Sequence, residues 1–122
     1  MSFKTIAAFA VAASMGFGSA AYAHPALNST SPAANGTVSP ALKEIRFDFS
    51  ENVIPAFSGA KLTDLKGRVV PTGAPRVDAK DKKELIVPLK ESLKDGKYKL
   101  AWYAVASDTH RVQGSYAFTV KK

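Results

Sequence analysis

Glu44-Ile45-Arg46-Phe47-Asp48-Phe49 alternates apolar and charged side chains at every step. Successive side chains of a strand point to opposite faces, so Ile45, Phe47 and Phe49 share one face and Glu44, Arg46 and Asp48 the other. This is the pattern of a strand with one face in a core and one in water. The reading extends outward from it. Downstream, Tyr98 to Ala106 is the longest strand signal, with Tyr98, Leu100, Trp102 and Ala104 on one side. Val112 to Val120 repeats it with Val112, Gly114, Tyr116, Phe118 and Val120. Between these lie a strand over Phe57 to Leu65, a Lys66-Gly67 turn, a short return strand Arg68-Val69-Val70 and a loop from Pro71 to Asp81. A strand follows over Glu84 to Leu89, where Pro88 points to an edge or a bulge, and Lys94-Asp95-Gly96-Lys97 makes a tight turn. Upstream, Ala26 to Thr30 reads as a short edge strand, Ser31 to Gly36 as a turn centred on Asn35-Gly36, and Pro40 as a further break.

No stretch carries a capped helical period. Six or seven short strands separated by turn signals predict an all-β antiparallel sandwich or barrel. Ile45, Phe47, Phe49, Leu62, Leu85, Val87, Leu100, Trp102, Tyr116 and Phe118 supply one core between two sheets.

Residues 1–23 have the grammar of a secretory signal: Lys4, an Ala-rich apolar run from Ile6 to about Phe17, and small residues Ala21 and Ala23 ahead of a cut before His24. The apolar run is shorter than the roughly 20 residues a helix needs to span a bilayer. The mature chain, 24–122, then has 122 − 23 = 99 residues, enough for one domain. It has no cysteine, which excludes disulfide frameworks, thiolate metal sites and thiol catalysis. The full chain carries 17 basic and 10 acidic side chains, and loss of Lys4 leaves 16 against 10, a net +6. The cations are scattered through strands and turns. They read as a solvated surface with weak attraction to anionic surfaces, not as a nucleic-acid site.

The only histidines are His24 and His110. Removal of the leader would give His24 a free α-amine beside its imidazole, two nitrogen donors from one residue. His110 adds a third nitrogen, and Asp108, two residues earlier, can turn a carboxylate to the same side. Three nitrogens and one oxygen in a plane suit Cu(II). Zinc stays open on these residues, and so does the plain alternative that Asp108 and His110 are ordinary loop residues.

From His24 onward the sequence resembles the CopC family of periplasmic copper-binding proteins. The residues that carry the resemblance are His24-Pro25-Ala26-Leu27, Ser31-Pro32-Ala33, Phe49-Ser50-Glu51-Asn52 and Phe57-Ser58-Gly59-Ala60-Lys61-Leu62. Gly96 to Trp102, Val105 to His110 and Gly114 to Phe118 complete it. The resemblance implies a cupredoxin-like, immunoglobulin-like Greek-key β-sandwich that binds one Cu(II) per chain and has no catalytic group. It implies His24, Asp108 and His110 as metal ligands, with Glu51 close to the ion. It further implies a periplasmic monomer serving copper buffering, copper resistance or delivery to a CopD-type inner-membrane transporter. Some members hold Cu(I) in a Met-rich loop, but Leu65 to Pro75 has neither Met nor His, and both methionines, Met1 and Met15, lie in the leader. That departure implies a Cu(II)-only binder. An alternative is a copper-dependent oxidative enzyme of the lytic polysaccharide monooxygenase type, which also begins with histidine. The short chain and the Asp108 carboxylate at the metal speak against it. Trp102 reads as core, placed to report bound copper by fluorescence.

Overall fold

The computed structural model describes residues 26–122, so the expected leader and His24 lie outside the described residues. Among the described residues nine strands follow one another in chain order. They are β1 (Leu27–Ser31), β2 (Thr37–Val38), β3 (Glu44–Phe49), β4 (Gly59–Asp64), β5 (Val69–Val70), β6 (Arg76–Asp78), β7 (Asp81–Pro88), β8 (Gly96–Val105) and β9 (Arg111–Val120). A 3-10 turn, Pro55–Phe57, precedes β4. The strands form a four-stranded sheet, β1-β3-β7-β6, and a five-stranded sheet, β2-β9-β8-β4-β5. Among the described residues no helix is long and apolar enough to cross a membrane.

The all-β sandwich is as the alternation predicts. Ile45, Phe47 and Phe49 are buried, and they meet Leu62, Leu100, Trp102 and Phe118 from the opposite sheet. Trp102 packs against two stacked rings of β3, 6.1 Å from Phe47 and 5.6 Å from Phe49, the second contact edge-on. Each such side chain removed from water contributes roughly 1.5–3 kcal/mol. β8 and β9 pair over their full length, Gly96 opposite Val120 through Val105 opposite Arg111. This long hairpin fixes the Trp102 strand and aims its connection out of one end of the sandwich. Asn35 takes a left-handed φ of 62° in the expected Asn-Gly turn.

Four details differ from the sequence reading. β2 is a strand of two residues, pairing parallel with β9, too short for any periodicity to show. The stretch from Pro71 to Asp81 is not all loop, because Arg76–Asp78 adds to β7 as an edge strand whose Val77 packs on the core. Two prolines and a glycine hide it, and pairing with β7 imposes it. β7 itself is internal, between β3 and β6. Pro88 is its last residue, opposite Glu44, so the missing N–H leaves no gap in the middle of the ladder. The Phe57–Leu65 strand begins only at Gly59, because Pro55 sets a 3-10 turn before it.

Candidate metal centre

The connection between β8 and β9 holds two of the expected ligands, Asp108 and His110. It is a tight turn: the Ala106 N–H donates to the His110 carbonyl at 2.9 Å, and the Thr109 N–H donates to the Ala106 carbonyl at 2.8 Å. Thr109 sits in the left-handed region at φ 73°, where a β-branched residue is costly. Asp108 closes the turn from its side chain. One carboxylate oxygen accepts the His110 backbone N–H at 3.1 Å, and the other lies 3.1 Å from His110 Nδ1. The two residues thus face each other through a turn rather than along an extended strand. Both side chains are open to solvent, Asp108 at 39% and His110 at 54% exposure.

The Asp108 carboxyl is held below the usual carboxylate range, first by the hydrogen bond from the His110 backbone. Partial desolvation opposes this, and the charge and ring of His110 assist it. An ionised Asp108 against Nδ1 favours the tautomer that carries its proton there, which leaves Nε2 as the lone-pair nitrogen.

Two clasps bring other parts of the chain to the same end. The Ala26 N–H donates to Ser50 Oγ at 2.8 Å, and the Ser50 N–H returns a bond to the Ala26 carbonyl at 2.9 Å. Beside them Leu27 pairs with Phe49. On the other side the Asn52 carbonyl accepts from the Ser107 N–H at 3.1 Å and from Ser107 Oγ at 3.3 Å. Val53 and Ala106 form a bridge, and the Ile54 N–H donates to the Val105 carbonyl at 2.8 Å. The segment Ser50-Glu51-Asn52 therefore joins the chain at Ala26 to the Asp108 turn, with the exposed Glu51 between the two clasps.

Of the expected ligands, Asp108 and His110 are brought together. Glu51 is tied to their end of the sandwich by backbone pairing. Among the described residues no group of three or more His, Asp or Glu side chains is placed to hold an ion. The described part thus offers one imidazole and one carboxylate, a hard oxygen with a borderline nitrogen, and a metal held there needs donors from outside it. His24 lies two residues before Ala26. The stretch Leu65 to Pro75 begins with the Asp64–Gly67 turn at the far end of β4, beside Tyr98 rather than Tyr103. Trp102 is core, 9% exposed.

Ser50, Asn52, Ser58 and Ser107 stand in stretches that carry the resemblance, but nothing in the sequence assigns them these bonds. Ser58 is buried at 4% exposure, donates to the Ile54 carbonyl at 2.8 Å and accepts the Val105 N–H at 3.0 Å. It supplies the acceptor that the ladder between β4 and β8 loses where the 3-10 turn intrudes. A small polar residue between Phe57 and Gly59 was the only signal available.

The CopC domain family model matches residues 27–121. The chain is 43% identical over 100 residues to Protein YobA of Escherichia coli K12, covering 82% of this chain and 81% of that one. It is 42% identical over 113 residues to Copper resistance protein C of Escherichia coli, with 88% and 89% covered. The crystal structure of PcoC, a methionine-rich copper resistance protein from Escherichia coli, superposes with a TM-score of 0.71 at 41% identity. That match covers 81% of this chain and all of the PcoC chain.

Proposed function

The chain belongs to the CopC family, and from that premise we propose that it is a periplasmic Cu(II)-binding protein that carries or buffers one copper ion as cargo. The observation that supports this most is the Asp108–His110 turn standing at the end of the sandwich where the chain enters β1. Two extended residues reach about 7 Å at ~3.3–3.6 Å each, so His24 has the covalent reach to stay at that end once Ala26 is clasped to Ser50. Cleavage after Ala23 would then add an α-amine and an imidazole to the Asp108 oxygen and the His110 nitrogen. This donor set of three nitrogens and one oxygen fits Cu(II). Glu51, between the clasps, lies beside the ion and lowers the cost of bringing positive charge there.

No methionine follows Met15 and the chain has no cysteine, so no soft ligand is on offer for Cu(I). The protein accordingly holds copper in one oxidation state. It acts as a monomer in resistance, in buffering or in delivery to a CopD-type inner-membrane transporter, and it catalyses no reaction.

The test compares the chain from His24 with the same chain carrying one extra alanine before His24. Cu(II) affinity is read by competition with a chelator. The extra residue converts the α-amine to an amide and removes a donor without touching the fold. A loss of at least 100-fold is expected. Equal affinity would remove the amine from the site and with it the reason for the cut.

A further inference from the structure

The two outer faces of the sandwich carry different charge. On the four-stranded sheet, acids and bases are interleaved and paired: Arg46 bridges Glu44, Asp78 and Glu84, and Arg76 reaches Glu44. The outward side of the five-stranded sheet has no such balance. Inward residues alternate with outward ones along β4, β8 and β9, and the outward charged set is Lys61, Lys97, Lys99 and Arg111, with no carboxylate among them. None of the ion pairs among the described residues engages these four cations. Between them the face is small: Ala101 stands opposite both Lys61 and Ser115, and Lys99 stands opposite Thr63 and Ala117. Its large exposed apolar side chains are Val69, out on the β5 edge, and Tyr103, on which Arg111 stacks at 4.5 Å from the ring centre.

We propose that this face docks on the surface of an anionic phospholipid bilayer. Lys97 and Tyr103 are six residues apart on β8, about 20 Å at roughly 3.4 Å per residue, so the cations are spread over a flat patch rather than gathered in a pocket. A protein partner is met through an apolar centre from which charge is depleted. This face has the reverse, four cations around small uncharged residues. Several cations on one flat face suffice for a lipid surface of negative charge, which needs no shape match. Tyr103 and Arg111 are the amphipathic pair suited to the boundary between water and headgroups. Arg111 directly follows His110, so a docked face brings the Asp108–His110 turn to the rim of the contact. The proposal does not depend on the metal.

Both sheets and the core described above lie within 26–122, so the chain from His24 is the protein to test. Its sedimentation with vesicles of phosphatidylcholine containing about one quarter phosphatidylglycerol is compared with pure phosphatidylcholine vesicles, at low and at high salt. Binding is expected on the anionic vesicles alone, weakening as salt rises. Each cation contributes about fivefold, so K61Q/K97Q/K99Q loses roughly 100-fold. K43Q/K80Q/K90Q removes the same charge from exposed sites off this face and stays within a few-fold of the parent. Thermal melts and Trp102 emission establish that both variants are folded. Equal losses in the two variants, or no preference for anionic vesicles, overturn the proposal. Binding to polyglutamate as tight as to the vesicles, with the same variant dependence, reassigns the face to an acidic polypeptide and also overturns it.

Discussion

Replacing Ser58 by alanine tests whether the end of the sandwich that carries Asp108 and His110 is held by the bonds described. Ser58 Oγ is the acceptor for the Val105 N–H at 3.0 Å. The Ile54 carbonyl, to which Ser58 donates at 2.8 Å, also receives the Phe57 N–H at 3.1 Å and keeps a partner in the variant. The half-buried Val105 amide loses as its acceptor the hydroxyl of Ser58, a residue only 4% exposed. A buried donor left without an acceptor costs about 1–3 kcal/mol. For a domain of this size each kcal/mol lowers the melting temperature by roughly 4–8 °C, so S58A should melt about 5–20 °C below the parent. The control is S115A, on the exposed face of β9, expected within about 0.5 kcal/mol of the parent. Urea and thermal unfolding give the global number, and amide exchange gives its location. Protection should fall first at Ala106 and Ser107, while Leu100 in the middle of β8 keeps its own. If S58A and S115A unfold together, Ser58 is a passive small residue and the argument for the anchored end of β8 is wrong.

Gly114 stands opposite Trp102, and a Cβ there would lie 2.8 Å from Cζ2 of the indole. Gly114→Ala should therefore cost about 1–3 kcal/mol and shift Trp102 emission; an unchanged melt with unchanged emission would contradict the packing. Asp108→Asn keeps an acceptor for the His110 N–H but loses the charge facing Nδ1. Cu(II) affinity should fall at least 10–100-fold, and parent-like affinity would show that Asp108 neither holds the ion nor orients the ring. Asp64 and Asp78 are held below the usual carboxylate range, chiefly by backbone N–H donors from Arg68 and Lys80 respectively. A carboxyl depressed in the folded state adds stability that is complete above its unfolded value, about 3.9, and is lost as pH falls through the folded one. The urea midpoint of the metal-free protein should hold down to about pH 4 and drop below it, and D64N/D78N should flatten that acid limb. Copper binding should weaken earlier on acidification, as imidazole and amine take up protons.

The strands that were legible are those whose sequence carries the alternation unaided. Glu44 to Phe49, Tyr98 to Val105 and Val112 to Val120 each put a continuous apolar row on one face, and each is a strand in the structure. β2 and β6 were not legible, since two or three residues cannot establish a period and their partners on β9 and β7 decide them, whereas the equally short β5 is announced by the Lys66-Gly67 turn before it. The site divides in the same way. Asp108 and His110 stand out by residue type and spacing. What aims them does not: the turn bends through Thr109 at φ 73°, with neither glycine nor asparagine to announce it. The clasps at Ser50 and Ser107 depend on carbonyls of residues 24 and 55 positions away. Serine and asparagine in loops look alike in a sequence whether they hold a site together or face water.

The cost carried by Thr109 bears on how such a site binds. A left-handed threonine costs of order 1–3 kcal/mol and persists only when its surroundings over-determine it. Here they do. The Thr109 N–H is held by the Ala106 carbonyl, the Ala106 N–H by the His110 carbonyl, and the Asp108 carboxylate spans the turn to both the backbone and the ring of His110. The carboxylate and imidazole are thus oriented toward each other by the fold alone. Ordering of side chains and loops is a cost that otherwise subtracts from affinity, at about 0.5–1.5 kcal/mol for each flexible side chain immobilised. A turn built this way has already met that cost in folding, and the β8–β9 hairpin with its Ser58 and Ser107 anchors keeps it met. Two of the proposed Cu(II) donors are therefore oriented by the turn itself. The site's selectivity then rests on whether the incoming ion accepts a geometry that the protein, rather than the metal, has chosen.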